Sequence, residues 1–457
     1  MKNTAEVKAQ LRPERELRAI VDTVLRLSKA AGIKETEVQV DEGIDALTRF
    51  ANNAIHQHVA EHGLNVSIRT VVDERTARVT TNRIDEDSLK AALESSVSLA
   101  ASQPKDPHLL PLLGKQKYRN VNRFIPATAT LSAGDRARAV KAACDLADRK
   151  GQVAAGIFAS GQSQSILGNS RGLIAAYRQT QAEFSITMQQ GSASSWAKSN
   201  AADVRQFDTK ALSQTASRKA EMAQNPVELA PGRYTVILEP AATLDLVGFL
   251  FYDFAATAVQ DKRSCLAGRM GKPLFGANIS ITDDVYHPEQ VGPAFDGEGV
   301  PRQKVLLVDK GVPRNLVYSR RSAKEAGRKP TGHGFPLPNE HGEAPMNLVI
   351  GGGKTSLDEM IASTERGLLV TRLWYIREVD PYEKIMTGMT RDGLFLVERG
   401  KVTKAARNFR FNQSVLEMLR SVESISPAHR ASGEEAFEMV VPAMKVGDFH
   451  FSEVTKF

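Results

Sequence analysis

Three strand–turn–strand units in the second half of the chain constrain its fold most. Gln303–Asp309 and Leu316–Ser319 flank Lys310–Gly311, and Leu394–Glu398 and Val402–Ala406 flank Arg399–Gly400. Met439–Lys445 and Phe449–Val454 flank Gly447–Asp448. A glycine beside a polar residue supplies the left-handed backbone that a tight hairpin needs. Repeated hairpins predict antiparallel pairing. Helical patterns interrupt them only at Thr243–Val259, Ser356–Arg366 and Gln413–Val422.

The first half mixes two periods. Pro13–Ala31 sets Leu17, Ile20, Val21, Val24 and Leu27 at helical spacing, and Gly32 can end the helix. Asp85–Ala101, Ser132–Arg149 and Thr209–Gln224 read as further helices. Leu64–Val72 alternates, with Leu64, Val66, Ile68 and Thr70 on one face. Short strands are predicted at Thr36–Val40, Ala46–Ala51, Ala77–Thr81, Val153–Ala159, Ser163–Gly168, Leu173–Gln179 and Glu183–Gln189. Pro226–Gly232 holds two prolines and a glycine between a helix and the strand Arg233–Glu239. It predicts a boundary between an α+β domain, 1–225, and a strand-rich, mostly antiparallel domain, 226–457. The fold class is α+β.

Composition removes several functions. The 457 residues carry 60 Lys and Arg against 53 Asp and Glu, a net +7 with no basic block. Nucleic acid is therefore not an expected partner. The two cysteines, Cys144 and Cys265, exclude a disulfide scaffold and a thiolate-rich metal site. The longest apolar run, Leu244–Ala258, is interrupted by Asp245 and Asp253, so no membrane span is expected. Met1–Arg15 is polar and lacks the apolar core of an export signal, which points to the cytoplasm.

Several motifs invite a chemical reading. His58–Val59–Ala60–Glu61–His62 matches an inverted zincin pattern, but it lies between strand-like segments, where the two histidines form no helical clamp. Gly168–Asn169–Ser170–Arg171–Gly172 matches a nucleophile elbow, yet a strand rather than a helix follows, so a hairpin turn is expected. Gly351–Gly352–Gly353–Lys354–Thr355 lacks the first glycine of a phosphate loop and reads as a turn capped by Thr355 or Ser356. Thr331–Gly332–His333–Gly334, with His341 and Glu343 beyond, suits a binding loop and a solvated loop equally well. Cys144 reads as core. Cys265 follows Lys262 and Arg263, which favour a thiolate. Arg320, Arg321, Lys324, Arg328 and Lys329 form a basic loop without interleaved aromatics.

Blocks in a fixed order carry a resemblance. They are Thr48–Asn53, Ser264–Lys272, Phe295–Pro301, Ser319–Ala323, Thr331–His333, Ser356–Ile361 and Glu365–Thr371. In this order the chain resembles the TldD/PmbA family, described as modulators of DNA gyrase and as zinc-peptidase pairs. The resemblance implies an H-E-x-x-x-H segment before the Gly268–Arg269 block and a cysteine near the C-terminus. Here Val247 and Tyr252 stand for the histidines, Gly248 stands for the glutamate, and no cysteine follows Arg420. The resemblance therefore implies the PmbA (TldE) type, a non-catalytic subunit with no catalytic or metal-binding residue and no cofactor of its own. Zinc is expected only in a TldD-type partner, with which it forms a heterodimer; a homodimer is the other option. The implied substrate is a peptide or unfolded protein held by strand addition. The cleft candidates are Tyr252, Arg269, His333, Trp374 and Arg391. Trp374–Pro381 with Thr387–Gly393 resembles the strand pair beside the cleft, and Asp392–Gly393 is itself a turn signal. Two rival expectations stand beside this one. One is a metallopeptidase with a rearranged site drawn from His287, His333, His341 or His56, His58 and His62. The other is a nucleic-acid-associated, gyrase-modulating protein.

Overall fold

The structure, a computed structural model, describes residues 10–455, so most of the polar segment read at Met1–Arg15 lies outside the described residues. Six antiparallel strands build the N-terminal sheet: β1 (Glu35–Ala51), β2 (Ala54–Val72), β3 (Arg75–Thr81), β4 (Val153–Asn169), β5 (Ile174–Gln190) and β6 (Ala193–Ala201). Their order is β3-β2-β1-β4-β5-β6. Where the sequence predicts pairs of short strands, β1, β4 and β5 each run 17 residues without a break. Local polarity suggested the breaks, and cross-strand pairing removes them. Glu42, mid-β1, is buried, yet Arg12, His62 and Gln164 all bond its carboxylate. The strand β6, rich in Ser and Ala, carried no strand signal and was not foreseen.

Helices cover one face of this sheet. Glu14–Ala30 and Glu86–Ser102 bury Leu17, Val21, Val24, Leu89 and Leu93 against Val38, Val40, Val66 and Ile68. Ala133–Lys150 and Thr209–Met222 pack on Phe50, Phe158 and Phe184. The ends follow the expected chemistry. Asp85 accepts from the Ser88 N–H, Ser132 and Asp135 form a capping box, and Gly151 at φ +63° closes the helix Ala133–Lys150.

Among the described residues the second half holds thirteen strands. They are β7 (Gly232–Leu238), β8 (Ile281–Asp283), β9 (Val305–Asp309), β10 (Val312–Pro313), β11 (Leu348–Ile350), β12 (Arg366–Asp380), β13 (Ile385–Glu398), β14 (Lys401–Ala405), β15 (Phe409–Ser414), β16 (Val422–Ile425), β17 (His429–Ala431), β18 (Met439–Val441) and β19 (Met444–Val454). One sheet runs β10-β9-β8-β11-β18-β17. The other runs β12-β7-β19-β15-β13-β14, and β12 also pairs with β13. That extra pairing closes five strands, β12-β7-β19-β15-β13, into a small barrel filled by Phe409, Phe411, Phe449, Phe451, Leu373 and Ile376. The fold is α+β, with a strand-rich second half.

Four local expectations are corrected. The helix predicted over Thr243–Val259 is three pieces: Pro240–Val247, a 3₁₀ stretch Gly248–Phe254, and Ala256–Gln260. Asp253 causes the break, because its carbonyl and carboxylate bond Ser264 and the Cys265 N–H instead of continuing the helix. Leu316–Ser319 is no strand but a single bridge at Val317, after which Ser319 caps a helix. Met439–Lys445 and Phe449–Val454 are not a hairpin. Pro442 separates β18 from β19, and Gly447–Asp448 is a bulge inside β19. Asp392–Gly393 is likewise a bulge in β13, with φ +53° and +132°, and not a turn.

Candidate functional site

The broken helical segment brings its polar residues together with the β12–β13 hairpin. Pro240, at the first turn, starts the helix Pro240–Val247. Val247 is buried in the core. Gly248 faces Ala436 so closely that a Cβ there would lie 2.4 Å from the alanine methyl. Tyr252 donates its hydroxyl to the His341 carbonyl at 2.9 Å. Gly248 and Tyr252 line one cavity of about 300 Å³ with Asp253, Glu378, Lys384 and Glu435, under a rim of Phe249, Phe251 and Phe437.

An ion triad of buried Lys384 and Asp253 with exposed Glu378 lines this cavity. Lys384 Nζ lies 2.6 Å from Asp253 Oδ2 and 2.7 Å from Glu378 Oε1, and Lys384 and Asp253 are 4% and 3% exposed. Burial works against the ammonium charge, but the two carboxylates outweigh it and raise the Lys384 pKa above its ordinary value. Beside the triad, Asp245 is fully buried and accepts hydrogen bonds from the backbone of Glu434, Glu435 and Ala436. Burial pushes its pKa up to about 6, against the pull of those N–H groups.

The five sequence candidates fall in four places. Tyr252 lines the cavity. Arg269 grips the hairpin turn next to Lys384, with Nη2 2.5 Å from Glu383 and Nη1 donating to the Tyr382 carbonyl at 3.0 Å. Trp374 and Arg391 lie on the hairpin near β6, in a stack where Arg391 is 4.7 Å from Trp374 and Arg372 is 4.9 Å from Trp196. His333 is 1% exposed. It bonds Asp283 and Thr331 at 2.9 Å each, so it faces the interior. Its imidazole holds the Asp283 carboxyl below its usual range, although burial alone would raise it.

Other motifs resolve into structural parts. His58 and His62 sit on β2, bonded to Thr48 and Glu42. Ser170 is in the β4–β5 turn, donating to Lys34 O and accepting from Thr36 N. Ser356 forms a capping box with Glu359. Arg320 and Arg321 reach Glu298 and Asp106. Cys265 is buried, and burial raises its thiol far from reactivity. Lys384, Asp253, Asp245 and Glu435 were missed. The aspartates showed in the sequence only as interruptions of an apolar run, which is the one signal that marked them.

The positions at which the resemblance implies zinc ligands do not fit the metal. Valine and glycine offer no donor, and the tyrosine hydroxyl is spent on a carbonyl. In the cavity beside them the Asp253 and Glu378 carboxylates are engaged by the Lys384 ammonium rather than free for a cation. Among the described residues, no three or more His, Cys, Asp or Glu side chains are grouped to hold a metal ion.

A long-stranded antiparallel sheet beside a closed barrel, with this cavity at the broken helix, defines the class of scaffold. The profile described as PmbA/TldA metallopeptidase C-terminal domain matches residues 231–453, and that of PmbA/TldA metallopeptidase domain 1 matches residues 36–100. Together they span more than half of the chain, which belongs to the TldD/PmbA metallopeptidase family. It is 22% identical to Metalloprotease PmbA of Escherichia coli O157:H7, covering 98% of each. It is 34% identical over 159 residues to an uncharacterized protein of Methanocaldococcus jannaschii, covering 34% of this chain and 37% of the other. Matches to the first four curated relatives span 37% to 48% of their length. The fold is that of TldE from Thermococcus kodakarensis, with TM-score 0.86, 23% identity and coverage of 95% and 100%. A Thermotoga maritima protein titled a modulator of DNA gyrase gives TM-score 0.85, 20% identity and the same coverage. At these identities the likeness is one of fold. Among the described residues no helix is long and apolar enough to cross a membrane.

Proposed function

We propose that this chain is a zinc-free subunit of a TldD/PmbA-type metallopeptidase complex, positioning peptide substrate for a zinc-bearing partner in the cytoplasm. One observation carries the reading: the cavity at the expected ligand positions holds an ion-paired ammonium and a glycine closed by Ala436 where a metal and its glutamate would stand. The full-length likeness to PmbA and the fold shared with TldE support the same assignment. In this reading the chain divides near residue 225. Tyr252, Arg269, Trp374 and Arg391 mark the side of the hairpin toward which an extended peptide lies, and His333 serves the core.

The test is zinc content and cleavage of an unfolded peptide, with the purified chain alone and with a TldD-type relative that carries H-E-x-x-x-H. Zinc well below one equivalent and cleavage only with the partner are expected. Zinc-dependent cleavage by the chain alone would sink the proposal.

A further inference from the structure

The segment Ser432–Glu438 has no helix or strand, yet it is tied down along its length, at its ends by Lys198 on the Gly433 carbonyl at 3.3 Å and Arg430 on Glu438 at 3.8 Å. Asp245 accepts from the backbone N–H groups of Glu434, Glu435 and Ala436 at 3.1, 3.0 and 3.3 Å. Glu434 reaches Arg372 Nη1 at 3.2 Å. Ala436 fills the space left by Gly248, and the Phe437 ring meets Phe251 edge-on at 5.3 Å. The segment therefore roofs the cavity.

One further tie is of another kind. The β12–β13 ladder is interrupted between Trp374 and Arg377, where Tyr375 takes φ +55°. The N–H of Ile376 leaves the ladder there and donates to Glu435 Oε1 at 3.2 Å. Pairing of β12 with β7 ends at Val370–Leu238, so among the described residues β12 has no strand on that side from Thr371 onward. A backbone donor of a strand paired on one side only is thus held by a side-chain carboxylate, where an adjacent strand would present a carbonyl.

We infer that Ser432–Glu438 is a lid over a peptide subsite, and that the Glu435 carboxylate holds the place of a substrate carbonyl at the Ile376 N–H. The inference rests on the peptide-positioning reading above. The ligand is an extended peptide backbone, with one side chain directed into the 300 Å³ cavity beneath the lid. The grip is displaceable: Glu435 is half-buried, and its Oε2 has only a 3.5 Å contact with exposed Arg377. A carboxylate is the stronger acceptor, so the lid stays closed until further contacts along the peptide outweigh it.

The test uses a short, end-blocked, uncharged peptide labelled with fluorescein, read by anisotropy against the full chain. Glu435→Ala is expected to bind it about tenfold more tightly than the unsubstituted chain. Glu435→Gln, whose amide oxygen still accepts from Ile376, stays within about twofold. Hydrogen exchange supplies a local readout. The Ile376 amide exchanges slowly in the unsubstituted chain, quickly in Glu435→Ala, and slowly again once peptide is added. Protection at Leu394–Val397 in the same spectra reports that the variant is folded, and Glu435→Ser is a second opening variant. Binding by the unsubstituted chain with no gain in Glu435→Ala, or an Ile376 amide that stays protected there, overturns the lid and leaves the peptide reading standing. If no variant binds the peptide, alone or with the zinc-bearing relative, both fall.

Discussion

Glu298 shows what single buried charges do in this molecule. It is 6% exposed, accepts from the Arg320 N–H at 3.0 Å, and lies beside buried Asp296. Burial first, and then the Asp296 charge, push its pKa from the usual 4.5 up to about 7. The folded state then binds a proton that the unfolded state has released, so stability falls as pH rises from about 4.5 to 7 and is level above. The loss amounts to about 3 kcal/mol. Glu298→Gln keeps an acceptor for Arg320 and removes the titration. Its unfolding temperature should therefore change less between pH 5 and pH 8 than that of the unsubstituted chain. A parallel pair of pH curves would refute this. Gly248 is the opposite case, a residue whose missing side chain matters, since Ala436 occupies the space.

At the scale of elements, the break between Pro240–Val247 and Ala256–Gln260 holds Asp253 opposite Lys384 on the β12–β13 hairpin. Lys384→Met strands the Asp253 carboxylate in the interior and should cost about 3–5 kcal/mol. Asp253→Asn together with Lys384→Met removes both charges and should recover most of that loss. Denaturant midpoints of the two variants check this, and equal losses would refute it. The same region shows what was legible in the sequence. Periodicity placed the helices Glu14–Ala30, Glu86–Ser102 and Ala133–Lys150, because caps and apolar spacing are local properties. It split β1, β4 and β5, because the partners that satisfy Glu42 come from far along the chain. Turn chemistry at Asn169–Gly172 and Arg399–Gly400 was read correctly, whereas Gly447–Asp448 and Asp392–Gly393 use the same backbone freedom for bulges. That Val247, Gly248 and Tyr252 carry no imidazole or carboxylate was legible from their identities alone. The ion triad was not, because Lys384 lies roughly 130 residues beyond Asp253 and only the barrel's closure brings them together.

At the scale of the whole molecule, the two halves are joined by buried polar contacts. Arg372 on β12 stacks on Trp196 of β6, bonds Asp392 through Nε at 2.8 Å and through Nη2, and reaches Glu434. Ser194 of β6 donates to the same Asp392. Lys219 bonds Glu239 at 2.6 Å and Thr371 at 3.1 Å. Arg372→Ala leaves buried Asp392 with Ser194 and a longer 3.7 Å contact to Arg391, and removes the stack on Trp196. It should turn a single calorimetric unfolding peak into two, as the sheet and the barrel melt apart. One unchanged peak would show that the other contacts suffice. The closed ring has a consequence in time rather than in space. β7 lies between β12 and β19, and its partners on β19 come roughly 200 residues later in the chain. Until they arrive, one edge of β7 stands open during synthesis and folding. That makes ring closure a late, slow step, and the half-made barrel the species most in need of protection from its neighbours.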